Sequence, residues 1–209
     1  MQNCDIFRVK TGSLRKLLKA DVQLEYISAE HSANLTADHL SGDCDEGDGN
    51  QDPRGWWFSQ PGNRFHSTHQ TSTADGFQHS VQQIQRYWLE QGPFDGILGF
   101  SQGACLAFLL CMMAQRGELD EGFNPRFAII IAGFESKSEV HKSYYDGAKL
   151  TIPTCHIIGS TDRVIAQERA DALAALCENA QAMHHPGGHF VPTLTSFKSQ
   201  IRQFLAAFQ

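Results

Sequence analysis

The 209-residue chain reads as an α/β fold, a mostly parallel sheet with helices on both faces, and three observations carry that reading. Short apolar runs alternate with stretches whose apolar residues recur at helical spacing. Several of the short runs are continuously apolar, as strands covered on both faces require. A Gly-x-Ser-x-Gly stretch, Gly99-Phe100-Ser101-Gln102-Gly103, stands where one such run ends and a long apolar segment begins.

Taken from the N-terminus, Ser13 is placed to cap a helix carrying Leu14, Leu17 and Leu18. Residues 22–29 form the first predicted strand. Residues 41–53, rich in Asp, Gly and Asn, read as a mobile acidic loop. Their acids and glycines do not fall in the D-x-[DN]-x-[DN]-G order of a calcium loop, so no metal site is expected there. Arg54-Gly55-Trp56-Trp57-Phe58 comes next, a cluster that either anchors the loop to the core or lines an apolar pocket. Phe77, Val81, Ile84 and Trp88 mark a helix after the polar cluster 71–75. Further strands are predicted at 96–100, 127–133, 154–159 and 181–185. Between and after them, helices are marked by the apolar run 104–114, by Ala170, Leu173 and Leu176, and by Phe197, Ile201, Phe204 and Phe208. A chain of this length with 41% hydrophobic and 19% charged residues fits one domain spanning 1–209.

Composition narrows the function classes. The net charge is −6 and basic residues concentrate only in the short segment from Arg8 to Lys19, which speaks against nucleic-acid binding. No apolar run reaches membrane-spanning length, and Met1-Gln2-Asn3-Cys4-Asp5 does not open a signal peptide. The six cysteines (Cys4, Cys44, Cys105, Cys111, Cys155 and Cys177) are scattered, a usage expected of reduced thiols in the cytoplasm or nucleus.

The serine carries the chemistry. A hydroxyl is a poor nucleophile until a base takes its proton, and that base needs an acid to fix its tautomer. In the α/β-hydrolase arrangement the order is Ser, then Asp or Glu, then His, each on a loop past the carboxyl end of a strand. Asp162 in Gly159-Ser160-Thr161-Asp162 meets the acid criterion, although it is equally suited to capping the following helix. Asp146 is the rival, in a polar loop. His189 in Pro186-Gly187-Gly188-His189-Phe190 meets the base criterion. Among the ten histidines, His31 and His39 precede the serine, His141 lies before the acid, and His156 falls within a strand. His184 and His185 lack a turn to aim them, and no metal set is read around them. The expected reaction class is acyl transfer to Ser101 followed by hydrolysis of the acyl-enzyme, on an ester or thioester. Trp57, Phe58, Phe134 and Phe190 are candidates for an apolar acyl pocket.

These motifs resemble, over essentially the whole chain, the family serine hydrolases (FSH-type, ovarian-tumour-suppressor-candidate-2-like esterases) of the α/β-hydrolase superfamily. The resemblance lies in Gly99-Phe100-Ser101-Gln102-Gly103-Ala104, in Lys10-Thr11-Gly12-Ser13-Leu14-Arg15-Lys16, in Arg54-Gly55-Trp56-Trp57-Phe58, and in the acid and base loops. The Gly-Phe-Ser-Gln-Gly stretch is shared with acyl-protein thioesterases, whereas the Trp-Trp-Phe and Lys-Thr-Gly-Ser segments are more specific. The resemblance implies carboxylesterase or thioesterase activity on acyl chains, without a cofactor. One departure stands at the start. Family members open with a buried strand ending in His-Gly and an aromatic residue, and here the sequence begins just past such a strand, with Gln2-Asn3 and Phe7. That strand would lie beside the nucleophile strand, and its loop would supply one of two N–H donors to the oxyanion, leaving the backbone N–H of Gln102. The chain is thus expected to be either a working esterase lacking its first strand in this sequence, or a shortened module of weak or silent catalysis that binds an acyl ligand or a protein partner.

Overall fold

The computed structural model describes residues 2–34, 52–193 and 195–208. The acidic loop at 41–53 lies outside them apart from Asp52 and Pro53. The N-terminal segment folds into two short helices, α1 (Cys4–Lys10) and α2 (Gly12–Leu18). Asn3 caps α1, its side-chain oxygen accepting from the Ile6 N–H at 3.1 Å. The expected Ser13 cap is corrected: Thr11 holds the N-cap position of α2, and its hydroxyl turns back to the Phe7 carbonyl of α1 at 2.8 Å. A two-residue antiparallel ribbon joins β1 (His31–Ser32) to β2 (Arg54–Gly55).

The remaining elements alternate as the apolar pattern predicts. They are α3 (Phe77–Gln91), β3 (Gly96–Phe100), α4 (Gln102–Gln115), β4 (Phe127–Ile131), β5 (Thr154–Gly159), α5 (Gln167–Ala175), β6 (Ala180–His185) and α6 (Lys198–Ala206). Strands β3 to β6 form a four-stranded parallel sheet in sequential order. Alternation along β4 sends Ala128 and Ile130 to one face and Phe127, Ile129 and Ile131 to the other. The first face is covered by α3, α4 and α5, the second by α2 and α6. Helix α4 is apolar around its whole circumference, and every side chain from Ala104 to Met113 is buried, as its position under the sheet demands.

Three strand expectations differ from the structure, β6 by a single residue, since it begins at Ala180. Strand β4 stops at Ile131 because Ala132 turns into the left-handed region at φ 50°, which ends the ladder two residues early. Residues 22–29 pair with no strand. The segment is held by side chains instead: Ser28 Oγ accepts from the Cys4 N–H at 2.8 Å, and the Ser28 carbonyl accepts from Gln83 at 2.7 Å. With 22–29 outside the ladder, β3 is an edge of the described sheet. Its Ile97, Leu98 and Phe100 are only partly buried, while β4 and β5 are buried throughout.

Candidate active site

The site forms where the chain leaves the carboxyl ends of β3, β5 and β6. Ser101 follows β3 directly and caps α4, with φ 54° and ψ −118°. A non-glycine residue in that region carries strain of about 1–3 kcal/mol, held here by neighbouring structure. The Ser101 N–H donates to the Ile131 carbonyl at 2.9 Å, and the Ser101 carbonyl accepts from Ala104 and Cys105 as α4 starts. Gly99 allows the turn: a Cβ there would run into the backbone of Gly103 and Ala104. Gly103 has less at stake, since its Cβ would only touch the indole nitrogen of Trp56.

The acid and base loops are fastened to each other by backbone. Ser160 N–H donates to His185 O at 2.8 Å, and Thr161 N–H to Gly187 O at 3.2 Å. Gly159 is packed so closely that a Cβ would lie 2.6 Å from Gly188 O and 2.7 Å from Gly187 O. Asp162 divides its carboxylate. Oδ1 accepts from the Val164 and Ile165 N–H groups at 2.8 and 2.7 Å, and Oδ2 meets His189 Nδ1 at 2.7 Å. The helix-cap reading of this residue is corrected: the helix begins at Gln167 with Ala166 as its N-cap, and Oδ1 instead holds the turn at 162–165, while Oδ2 is left to the imidazole. The pair is well shielded, with side-chain exposures of 1% for Asp162 and 9% for His189. On the far side of the imidazole, Nε2 lies 3.0 Å from Ser101 Oγ, and the Phe100 ring leans over it at 4.8 Å. An alcohol, an imidazole and a carboxylate thus form a continuous hydrogen-bonded line. With the carboxylate accepting at Nδ1, the neutral imidazole carries its proton there and offers Nε2 as the acceptor for the serine hydroxyl.

His39 lies outside the described residues, and the other described histidines make no contact within this line. His156 is buried within β5 and His141 in a 3₁₀ turn between Trp57 and Phe77, and burial lowers both to about 4. His184 pairs with Asp171 at 2.8 Å. Asp146 lies in the loop after that turn, away from the hydrogen-bonded line. Among the described residues no group of three or more metal-ligating side chains occurs.

The four pocket candidates separate. Trp57, Phe58 and Phe134 sit inside the core, Trp57 edge-on to Phe65 and Phe77. Phe190 is 47% exposed beside the base. Sequence reasoning missed two features. The Gln102 side chain clamps the aromatic loop, its Oε1 accepting from the Trp56 N–H at 3.0 Å and its Nε2 donating to the Trp57 carbonyl at 2.7 Å. Trp56, not Trp57, lies against the elbow at Gly103. The aromatic triplet signals the loop, but only the fold decides which ring lies against the elbow.

The chain is similar to known proteins over nearly its whole length. A family model described as "Serine hydrolase (FSH1)" matches residues 1–201. Esterase OVCA2 of Danio rerio is 41% identical over 213 residues, covering 100% of this chain and 93% of that protein. The Bacillus cereus carboxylesterase superposes with a TM-score of 0.61 at 12% identity, over 97% of this chain and 83% of that one. Zea mays acyl-protein thioesterase 2 gives 0.59 at 18% identity, over 95% and 88%. At such low identity the two structures speak for the fold alone, which is that of the α/β-hydrolases. No helix among the described residues is long and apolar enough to cross a membrane.

Proposed function

The chain belongs to the FSH1 serine hydrolase family, and on that premise we propose that it is a carboxylic ester hydrolase working through a Ser101–His189–Asp162 triad. The observation that supports this most is the unbroken line from Asp162 Oδ2 through both ring nitrogens to Ser101 Oγ, with steps of 2.7 and 3.0 Å. Ser101 Oγ attacks the acyl carbonyl as His189 Nε2 takes its proton. The imidazolium, held by the ionised Asp162, then protonates the leaving alcohol or thiol. Water repeats the sequence on the acyl-enzyme, with His189 as base, and releases the acid. No cofactor enters any step.

The developing oxyanion is received by the backbone N–H of Gln102. That group is at the start of α4, where helix N–H groups lack intrahelical partners, and it makes no hydrogen bond among the described residues. The acyl chain enters over Phe190, with Val164 and Trp56 at the rim; Val164 is exposed two residues from Asp162. Trp57, Phe58 and Phe134 back this surface from the core. The substrate is a small acyl ester or thioester, and buried reduced thiols fit a cytoplasmic or nuclear setting.

A second reading, an acyl-binding module with slow turnover, draws on β3 being the edge of the described sheet. A hydrolase with one oxyanion donor instead of two loses roughly 10²–10³ in turnover. Hydrolysis of p-nitrophenyl acyl esters tests the leading reading. Ser101→Ala is expected to remove activity above background, and equal rates in the two proteins would reject the assignment. An acyl-length series on the wild type, including a palmitoyl thioester peptide, fixes the ester-versus-thioester preference.

A further inference from the structure

A cleft outside the proposed triad is lined mainly by cationic and hydroxyl-bearing side chains. Helices α2 and α6 lie on the same face of the sheet, and a cavity of about 490 Å³ opens between them. Lys16, Lys19, Lys198 and Arg202 line it, together with the hydroxyls of Ser13 and Thr195. The concentration of charge is out of keeping with the chain, whose net charge is −6. Arg202 is already matched, its Nε donating to Asp21 at 2.9 Å. Lys16, Lys19 and Lys198 make no ion pair among the described residues. These three exposed lysines line one concavity, and their summed positive field favours an anion there.

The lining chooses among anions. One carboxylate carries a single charge and leaves two ammonium groups unmatched. A diphosphate brings two to three negative charges and many acceptor oxygens, which lysines receive as point charges and hydroxyls as donors. Leu17 and Ala20 form an apolar floor for a nonpolar part of the ligand. The volume falls within the range of small-molecule sites. Thr193 also lines the cleft, and it lies only four residues past the base His189, so their Cα atoms are at most about 14 Å apart.

We propose that the cleft between α2 and α6 binds a soluble, diphosphate-class ligand through Lys16, Lys19 and Lys198. This site does not depend on the triad reading, and its test does not use activity. Sodium pyrophosphate is titrated calorimetrically into the full chain at low and at physiological salt. Saturable one-to-one binding that weakens with salt is expected. The double variant K16Q/K198Q is expected to weaken it at least tenfold and K16E/K198E further, with melting temperatures showing that both variants fold. Lys142→Glu, an exposed lysine outside the cleft, should leave affinity within twofold. Absence of saturable binding, or equal binding by the cleft variants and by K142E, overturns the proposal. Vesicles containing phosphatidic acid form the second arm: binding to them without binding of pyrophosphate overturns the assignment to a soluble ligand.

Discussion

The two flanks of Ser101 are built differently. Toward β4, β5 and β6 the parallel ladder is continuous, β4 and β5 are buried throughout, and the acid and base loops are stitched together by main-chain hydrogen bonds. Toward residues 22–29 no ladder occurs among the described residues, and the segment is tethered by Ser28, Gln83 and a Tyr26–Thr11 contact of 2.6 Å. His189 reaches the serine from the first side, and Asp162 holds the far nitrogen of its ring. The hydrogen-bonded line of the proposed triad therefore rests on the well-packed side, and the edge side of β3 is the less buried one.

Four changes sharpen that contrast, from the largest effect to the smallest. Asp162→Asn removes the acceptor that sets the His189 tautomer, and kcat for ester hydrolysis should fall about 10⁴-fold. A drop of tenfold or less would mean that the carboxylate is chiefly a turn cap through Oδ1. Gly159→Val pushes a side chain into the Gly187 and Gly188 carbonyls. It should cost about 10²-fold or more in kcat through displacement of His189, whereas Gly117→Ala on the surface turn after α4 should leave the rate alone. A normal rate in Gly159→Val would show that the loops are not locked to each other.

Acid acts on the packed side too. His141 and His156 are buried as neutral rings, with values lowered from 6.5 to about 4 by desolvation. Between pH 6.5 and 4 the unfolded chain binds protons that the folded rings refuse, so stability is lost as pH falls through that window. The loss reaches about 3 kcal/mol for each ring and levels off below about pH 4. Thermal melts from about pH 7 to 4 should show the decline, and His141→Phe, which replaces one buried titratable ring by one that takes up no proton, should flatten it. The mildest effect is in hydrogen exchange along β3. Ser101 N–H bonds to Ile131, so by parallel-strand alternation the Ile97 and Gly99 N–H groups also face β4, and those of Leu98 and Phe100 face the open edge. Exchange at Leu98 and Phe100 should be at least tenfold faster. Uniform protection would show that the edge is covered in solution.

Much of this was legible in the sequence because short-range chemistry decided it. Strands 96–100 and 154–159 were read to the residue, since glycine and proline punctuation bounds each apolar run. Ser101, Asp162 and His189 were readable as a set because each comes after a different strand in the order the α/β-hydrolase arrangement requires. Other features depend on tertiary partners. Residues 22–29 have strand composition, but a strand also needs a neighbour. Ser13 looks like a cap, yet Thr11 takes the position because it ends α1 at the same residue. The roles of Trp56 and Trp57 differ only through the Gln102 clamp, a contact across 45 positions that no local pattern encodes.

Whether His189 and Asp162 make Ser101 nucleophilic is tested most sharply by covalent labelling with a fluorophosphonate and peptide mass mapping of the product. A single adduct on Ser101 is expected in the wild type, none in Ser101→Ala, and strongly slowed labelling in His189→Ala. A wild-type protein that stays unlabelled, or labelling that proceeds equally well without the imidazole, would contradict the triad.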